Sequence, residues 1–342
     1  MMKSEELSKE LFVPAQIDPN KGEEITSPTL SYWKDAWLRI RKNVGAIVGI
    51  ILLLVLAVMA IFGPMMTPYD SYEQDLSRAK LPPKIPVLEN ISWLHLDGTI
   101  QLNEDQPRID MYEQKEVEEY FWFGTDGLGR DLWTRTWEGT RISLYIALLA
   151  ASIDMVIGVA YGGISAYYGG RVDLIMQRIV EVLIGIPFLI VVILIILILE
   201  PGILTITVAM TITGWLGMSR VVRGQILKLK NQEFVLASKT LGSKDSKIIM
   251  QHLIPNITGV IIINTMFTIP SAIFTEAFLS FIGLGLPAPI ASLGTLIEDG
   301  FRSLQIYPHI LLFPSIVISL IMIAFNLVAD GLRDALDPKM RD

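Results

Sequence analysis

The 342-residue sequence contains no cysteine, which excludes disulfides, thiolate metal sites and a cysteine nucleophile. Histidine is nearly as scarce. His95, His252 and His309 are the only three, set far apart, so no histidine metal centre is expected. No G-x-x-x-x-G-K-[ST] occurs, and the chain therefore has no loop of that kind to cradle ATP phosphates. The glycines at 124, 127 and 129 run G-x-x-G-x-G, without a long apolar strand before them, which removes a dinucleotide site. No nucleophile–base pair or carboxylate pair stands out, and nothing points to a nucleic-acid partner. The first 30 or so residues are polar and of mixed sign, unlike the basic, apolar start of a cleaved signal peptide. Charge is sparse throughout, at 18% of residues.

What replaces charge is apolar sequence, at 51% of residues with a mean hydropathy of +0.49. It is concentrated in blocks. Residues 44–63 carry no charge and match the ~20 residues a helix needs to cross the hydrocarbon core. Further blocks run over 142–168, 182–199, 202–218, 257–286 and 310–328. In lipid every backbone N–H and C=O needs an internal partner, so these blocks should be helices. The expected fold is an all-α integral membrane protein with six transmembrane helices.

Charge asymmetry orients it. Lys34, Arg39, Arg41 and Lys42 precede the first block, and an excess of Lys and Arg marks the cytoplasmic side. Residues 64–140 then lie outside, with 15 acids against 7 bases. Residues 219–256 return inside with 7 bases against Glu233 and Asp245. The end of the chain, with Arg333, Lys339 and Arg341, is inside too, so both termini are expected to be cytoplasmic.

This gives a tail and interfacial helix over 1–43, a first crossing over 44–63 and a sizeable external segment over 64–140. A core of five crossings follows over 141–330, with a cytoplasmic loop at 219–256, and a tail over 331–342. "SYWKDAWLRIRKN" reads as an amphipathic surface helix anchored by Trp33 and Trp37. The proline- and acid-rich stretch 64–120 is too long for a bare connection and should form a small cap or a partly ordered loop. Gly45 and Gly49, and Gly158 and Gly162, are spaced for close helix approach. Arg178 and Glu181 are spaced for a local pair.

One polar stretch, "EFVLASKTLGSKDSKIIMQHLIP" at 233–255, lies between two apolar blocks. Residues 233–241 are good helix formers, with Phe234, Ala237 and Leu241 on one face. Gly242 suits a left-handed helix end, Ser243 an N-cap, and Asp245 the first turn of a second helix. Pro255 is expected to interrupt hydrogen bonding where the next crossing begins. A loop that merely enforces topology would explain the lysines but not the glycine corner or the proline. The stretch therefore reads as a docking element.

These residues resemble a family. The cytoplasmic signature of ABC importer permeases runs Glu-Ala-Ala, three residues, Gly, nine residues, Ile-x-Leu-Pro. Here Ala237, Gly242 and Pro255 match in spacing, whereas Leu236, Ser238 and His252 depart from it, with Glu233 one turn before the missing acid. The segment "FGTDGLGRDLWTRTWEGTRISL", 123–144, is similar to that before the second helix of the C-type permease in dipeptide and oligopeptide importers. It matches at Gly124, Thr125, Asp126, Leu128, Gly129, Arg130, Asp131, Gly139, Arg141, Ser143 and Leu144. Read on its own, Asp131 can cap a helix whose Leu132, Trp133 and Trp137 face the lipid boundary. "EAFLSFIGLGLPAPIASLGTLIEDG", 276–300, is similar to the end of the fifth helix and the loop after it in the same family.

The resemblance implies the type I permease fold in a multi-pass protein of the bacterial plasma membrane. It implies a second homologous permease as heterodimer partner, two cytoplasmic ABC ATPases and an external peptide-binding protein. It also implies no cofactor on this chain, ATP and Mg on the ATPases, and 233–255 as their coupling helix. A permease for nickel or another small solute would look similar. Outside the family stand an ion-coupled secondary transporter and an assembly scaffold. Two carboxylates fall inside crossings, Asp154 and Glu276, each costly against lipid. Each is either a wall or gate of the translocation path, or a hydrogen-bonded tie within the bundle.

Overall fold

A computed structural model describes residues 32–86, 88–91, 96–101 and 107–336. His95, Lys339, Arg341 and the side chain of Trp33 lie outside the described residues. Helix α1 (Tyr32–Ile40) buries Ala36 and Ile40, leaves Trp37 exposed, and lies against the last helix of the chain. Asn43 caps α2 (Val44–Phe62), accepting from the Ala46 N–H at 3.0 Å and donating to Asp334 at 3.2 Å.

The described residues of the segment after α2 gather around a small core. A two-residue hairpin pairs β1 (Thr99–Ile100) with β2 (Ile109–Asp110), and the one-turn helix α3 (Met111–Gln114) follows. Leu81, Tyr112 and Phe121 are fully buried there with Tyr69 stacked on Phe121. The phenol of Tyr112 donates to the Pro82 carbonyl at 2.9 Å.

Helix α4 (Leu132–Tyr168) is 37 residues long, about 56 Å at the helical rise. It starts well before the expected 142. The next apolar block, 182–199, does not form one straight helix. Its first residues end α5 (Gly170–Ile184) and the remainder forms α6 (Phe188–Ile198), with an 83° bend between the two. Pro187 explains the break, because it lacks an N–H and forces the residue before it out of the helical region. Helix α7 (Ile203–Leu229) takes in the block 202–218 from residue 203 onward, with Gly202 as its N-cap, and runs past it.

After α7 come the short α8 (Glu233–Thr240) and α9 (Asp245–Lys247), then a π-helical turn at Ile248–Leu253 leading without interruption into α10 (Ile254–Phe281). Helices α11 (Leu293–Ser303) and α12 (His309–Leu336) complete the described chain. Among the described residues, four helical runs are long and apolar enough to cross a membrane, at Val44–Met65, Leu132–Tyr168, Asp245–Phe281 and His309–Leu336. The bent α5–α6 pair makes a fifth if taken as one span. The 27-residue α7 has sufficient length, but its threonines and Arg220 lower its apolarity. Many of those threonines face the bundle interior, where lipid does not dictate composition.

The expected glycine contacts are present. A Cβ at Gly158 would stand 2.6 Å from Met218, and one at Gly162 only 2.3 Å from the Ser219 carbonyl, so α4 and α7 meet nearly backbone to backbone. Gly49 similarly admits the Ala324 carbonyl of α12. The main core gathers Ile146, Ala150, Ile206, Ile273, Leu279 and Ile321 from α4, α7, α10 and α12. Arg178 and Glu181 pair at 2.8 Å in the open.

Gly162→Ala is expected to destabilise the detergent-solubilised protein by about 1–3 kcal/mol, as overpacking of a tight contact does. The neighbouring Gly163→Ala, whose Cβ would meet nothing nearer than 3.7 Å, is expected to be neutral. Thermal melts of the two purified variants check this pair.

Candidate coupling element and membrane cavity

The stretch 233–255 is built around one corner. The N–H of Gly242 donates to the Lys239 carbonyl at 3.0 Å, and the N–H of Ser243 to the Ser238 carbonyl at 3.1 Å. This paired closure is the Schellman ending of α8, with Gly242 at φ +77° as the left-handed residue it requires. Ser243 thus ends the first helix. It does not cap the second, whose N-cap is Lys244 without a side-chain bond. Asp245 does lie in that helix's first turn, and Glu233 in the first turn of α8.

Pro255 departs from expectation as well. The chain stays helical through it, because the wide π turn over Ile248–Leu253 stands immediately before the site of the missing N–H. Val235, Ser238, Ile248 and Leu253 are buried, the three apolar ones against Ala166, Val222 and Ile226 of α4 and α7. The rest of α8 points outward and mixes apolar with polar side chains, Glu233, Lys239 and Thr240 among them. Phe234, Leu236 and Leu241 are 42%, 50% and 85% exposed, and Ala237 lies with them.

The corner is also fastened to α4. The Tyr167 hydroxyl donates to Asp245 at 2.6 Å, and the Lys239 ammonium lies 5.5 Å from the centre of the same ring. Lys230 reaches the Ala166 carbonyl at 2.8 Å. Nearby, Arg223 of α7 grips Asp173 of α5 through two bonds of 2.7 and 2.6 Å.

At the opposite end of α4, residues 124–131 form a closed knot. Asp126 accepts from the backbone N–H groups of Leu128 (2.9 Å) and Arg130 (3.0 Å), and from Arg130 Nε at 2.7 Å, with Arg135 Nε 3.3 Å away. Thr125 accepts from the Leu81 N–H and donates to the Arg78 carbonyl. Gly124 and Gly129 have positive φ, and a Cβ at Gly129 would stand 1.8 Å from the Asp75 carbonyl. Asp131 caps α4, accepting from the Thr134 N–H at 2.9 Å and hydroxyl at 2.6 Å. Burial pushes its carboxyl above the usual range, and the Thr134 bonds pull it back. Leu132 and Trp137 do not face lipid as expected. They are 0% and 7% exposed, turned into the bundle.

The two intramembrane carboxylates differ. Glu276 of α10 is fully enclosed, and the Ser143 and Ser280 hydroxyls donate to it at 2.9 and 3.0 Å. Ser143 in turn accepts from the Leu293 N–H at 3.1 Å, which ties α4, α10 and the start of α11 together. Asp154 of α4 lines a cavity of about 480 Å³ walled also by α6, α7 and α10. Its Oδ1 is buried without a hydrogen-bond partner, and its carboxylate rests on Gly214, where a Cβ would lie 2.1 Å from Oδ2. No group of histidine, aspartate and glutamate among the described residues has the geometry to hold a metal.

Residues 155–342 match the family of binding-protein-dependent transport system inner membrane components. Residues 31–83 match the N-terminal transmembrane domain of oligopeptide transport permease C. The chain is 46% identical to the oligopeptide transport system permease protein OppC of Bacillus subtilis, over 98% of this chain and 99% of that one. It is 42% identical to the dipeptide transport system permease protein DppC of Lactococcus lactis, over 98% of each. With OppC of Escherichia coli K12 it shares 36% identity, over 94% of this chain and 96% of that one. The chain belongs to the binding-protein-dependent transport permease family.

It is a multi-pass permease of the bacterial plasma membrane, and not an enzyme. Within the permease, sequence reasoning missed Tyr167, Arg223 and Asp173, which carry no local pattern and meet only through the packing of α4, α5, α7 and α9. It also missed the walls that α7 and α10 contribute around Asp154. Those residues look like ordinary membrane-helix threonines and serines until the bundle is assembled.

Asp126→Ala would strand the Arg130 and Arg135 guanidiniums, 5% and 2% exposed. A loss of about 3–5 kcal/mol is expected from removing one partner of a buried ion cluster, seen as a lower melting temperature and faster proteolysis within 69–131.

Proposed function

We propose that the chain is the membrane-spanning subunit of an ATP-driven importer of oligopeptides or dipeptides. It forms half of the translocation path and couples to separate ATPases. The observation that carries this is likeness over nearly the whole chain to permeases named for both substrates. In this reading the bent α5–α6 pair and α7 complete six crossings, with both termini and 233–255 in the cytoplasm and 64–131 outside. Basic charge around 219–256 and acidic charge over 64–140 support that orientation.

The partners are a second homologous permease, two ABC ATPases that hold ATP and Mg, and an external peptide-binding protein. This chain holds no cofactor of its own. Residues Glu233, Ala237, Ser238, Gly242, Ser243 and Pro255 belong to the coupling element. The exposed side of α8, with Phe234 and Leu236 and the adjoining Leu241, enters a cleft on an ATPase. When the ATPases close on ATP the elements are drawn together. The fastening of the corner to Tyr167 turns that movement into a tilt of α4 and α7, and the cavity at Asp154 changes the side to which it opens. Residues 124–131 hold the outer cap in place beneath the binding protein. Glu276 serves as a tie at the outer end, and Asp154 as a wall of the path.

Gentle purification of the tagged chain from its own membranes tests this assembly. Recovery with a homologous permease, two Walker-motif ATPases and a peptide-binding protein is expected, and recovery of this chain alone would overturn the reading. Gly242→Pro provides the functional counterpart. Proline holds φ near −65° and has no N–H, so it destroys the corner. Peptide uptake should fall by more than about tenfold while the complex still assembles and hydrolyses ATP. Normal uptake by the assembled variant would count against the coupling role.

A further inference from the structure

The cavity beside Asp154 has a one-sided chemistry. Its lining includes four hydroxyl side chains and one amide, and Asp154 is the one ionisable residue among the residues that form it. No lysine or arginine is present to neutralise that carboxylate. Asp154 is 94% buried, being 6% exposed, and its Oδ1 has no hydrogen-bond partner. Gly214 leaves room for the carboxylate where any other residue of α7 would displace it.

Three of the four hydroxyls, those on α10, have already spent their protons. Thr268 donates to the Asn264 carbonyl at 3.0 Å, Ser271 to Phe267 at 3.0 Å and Thr275 to Ser271 at 2.8 Å, each one turn back along α10. A hydroxyl that donates in this way keeps only its acceptor lone pairs. The amide of Asn264 sends one N–H toward the Met218 sulfur at 3.6 Å, and its oxygen is a further acceptor. A wall of acceptors around a buried, unpaired carboxylate is complementary to a group with several donors and positive charge. An ammonium group has three donors and no acceptor.

We propose that this cavity is a transit subsite for an ammonium group of the imported peptide, with Asp154 as its counter-charge and Thr268, Ser271 and Thr275 as acceptors beside it. The inference rests on the importer reading above and adds to it the group that the path recognises. The ammonium is either the peptide's N-terminus or a lysine side chain, since the chemistry is shared.

The absence of cysteine allows a direct test. Thr213→Cys places a single thiol of this chain in the cavity wall. In the purified complex, the rates of modification by a cationic and an anionic methanethiosulfonate of similar size are measured, with the complex carrying the unaltered chain as background. The cation-to-anion rate ratio should exceed that of a free thiol by roughly three- to tenfold. Adding Asp154→Asn should abolish the excess, and Asp154→Glu should retain most of it. Gly214→Ala, which displaces the carboxylate, should reduce it.

Protection by trialanine, by its desamino analogue and by a desamino tripeptide carrying lysine identifies the source. Protection by trialanine but not by its analogue assigns the N-terminus. Protection by the lysine-bearing desamino peptide assigns the side chain. A ratio unaffected by Asp154→Asn, or no protection by either amine, overturns the subsite. ATP-driven peptide uptake by the unaltered complex is measured separately. Intact uptake with an unaffected ratio removes the subsite alone, whereas absent uptake removes the importer reading and the peptide assignment with it.

Discussion

The contact between α4 and α7 is so close that no side chain stands between them along part of their length. At Gly158 and Gly162 the surface of α4 is bare backbone, and α7 lies against it. Such a contact has little tolerance for sliding, because at Gly162 the main chain of α7 and at Gly158 the base of the Met218 side chain would have to give way. The two helices therefore behave as one body. α4 extends about 56 Å, well beyond the ~30 Å hydrocarbon core. This body reaches past the membrane to carry the knot of residues 124–131 at one end and the corner at Gly242 at the other.

Each attachment to that body uses a different kind of bond. The knot is ionic and buried, with Asp126 shared by two arginines that have almost no access to water. Its geometry is closed by glycines whose φ values no other residue adopts cheaply. The corner is held by apolar packing of Val235, Ile248 and Leu253, supplemented by the Tyr167–Asp245 bond. Packing of that kind resists separation but permits small rotation. On the proposed coupling, a stiff cap and a compliant handle suit a subunit that keeps one surface constant while another is pulled.

Much of this was legible in the sequence because it is local. The apolar blocks located α2, α4, α10 and α12, and turn chemistry located the left-handed Gly242 and the Asp131 cap. Where a residue had two local uses, the pattern misled. Ser243 follows a glycine and precedes an aspartate, which suits an N-cap, yet the Schellman closure takes its N–H first. Pro255 reads as a break unless the preceding turn is known to be π-helical. Trp137 looked lipid-facing because tryptophan favours membrane interfaces, but the cap folds over it and it packs on Gly63. The cavity around Asp154 was beyond local reading, since its walls come from four separate helices.

The back-bonded hydroxyls of α10 have a meaning for the cavity when nothing occupies it. A polar wall with free donors strands them whenever water leaves, and each stranded group carries a cost. Here the protons of Thr268, Ser271 and Thr275 are bonded within the helix itself, so none needs a partner from the space beside it. The surface can thus pass from hydrated to closed and back without a large change in its own hydrogen bonding. If the cavity is the proposed subsite, an empty cycle and a loaded one differ chiefly at a single carboxylate.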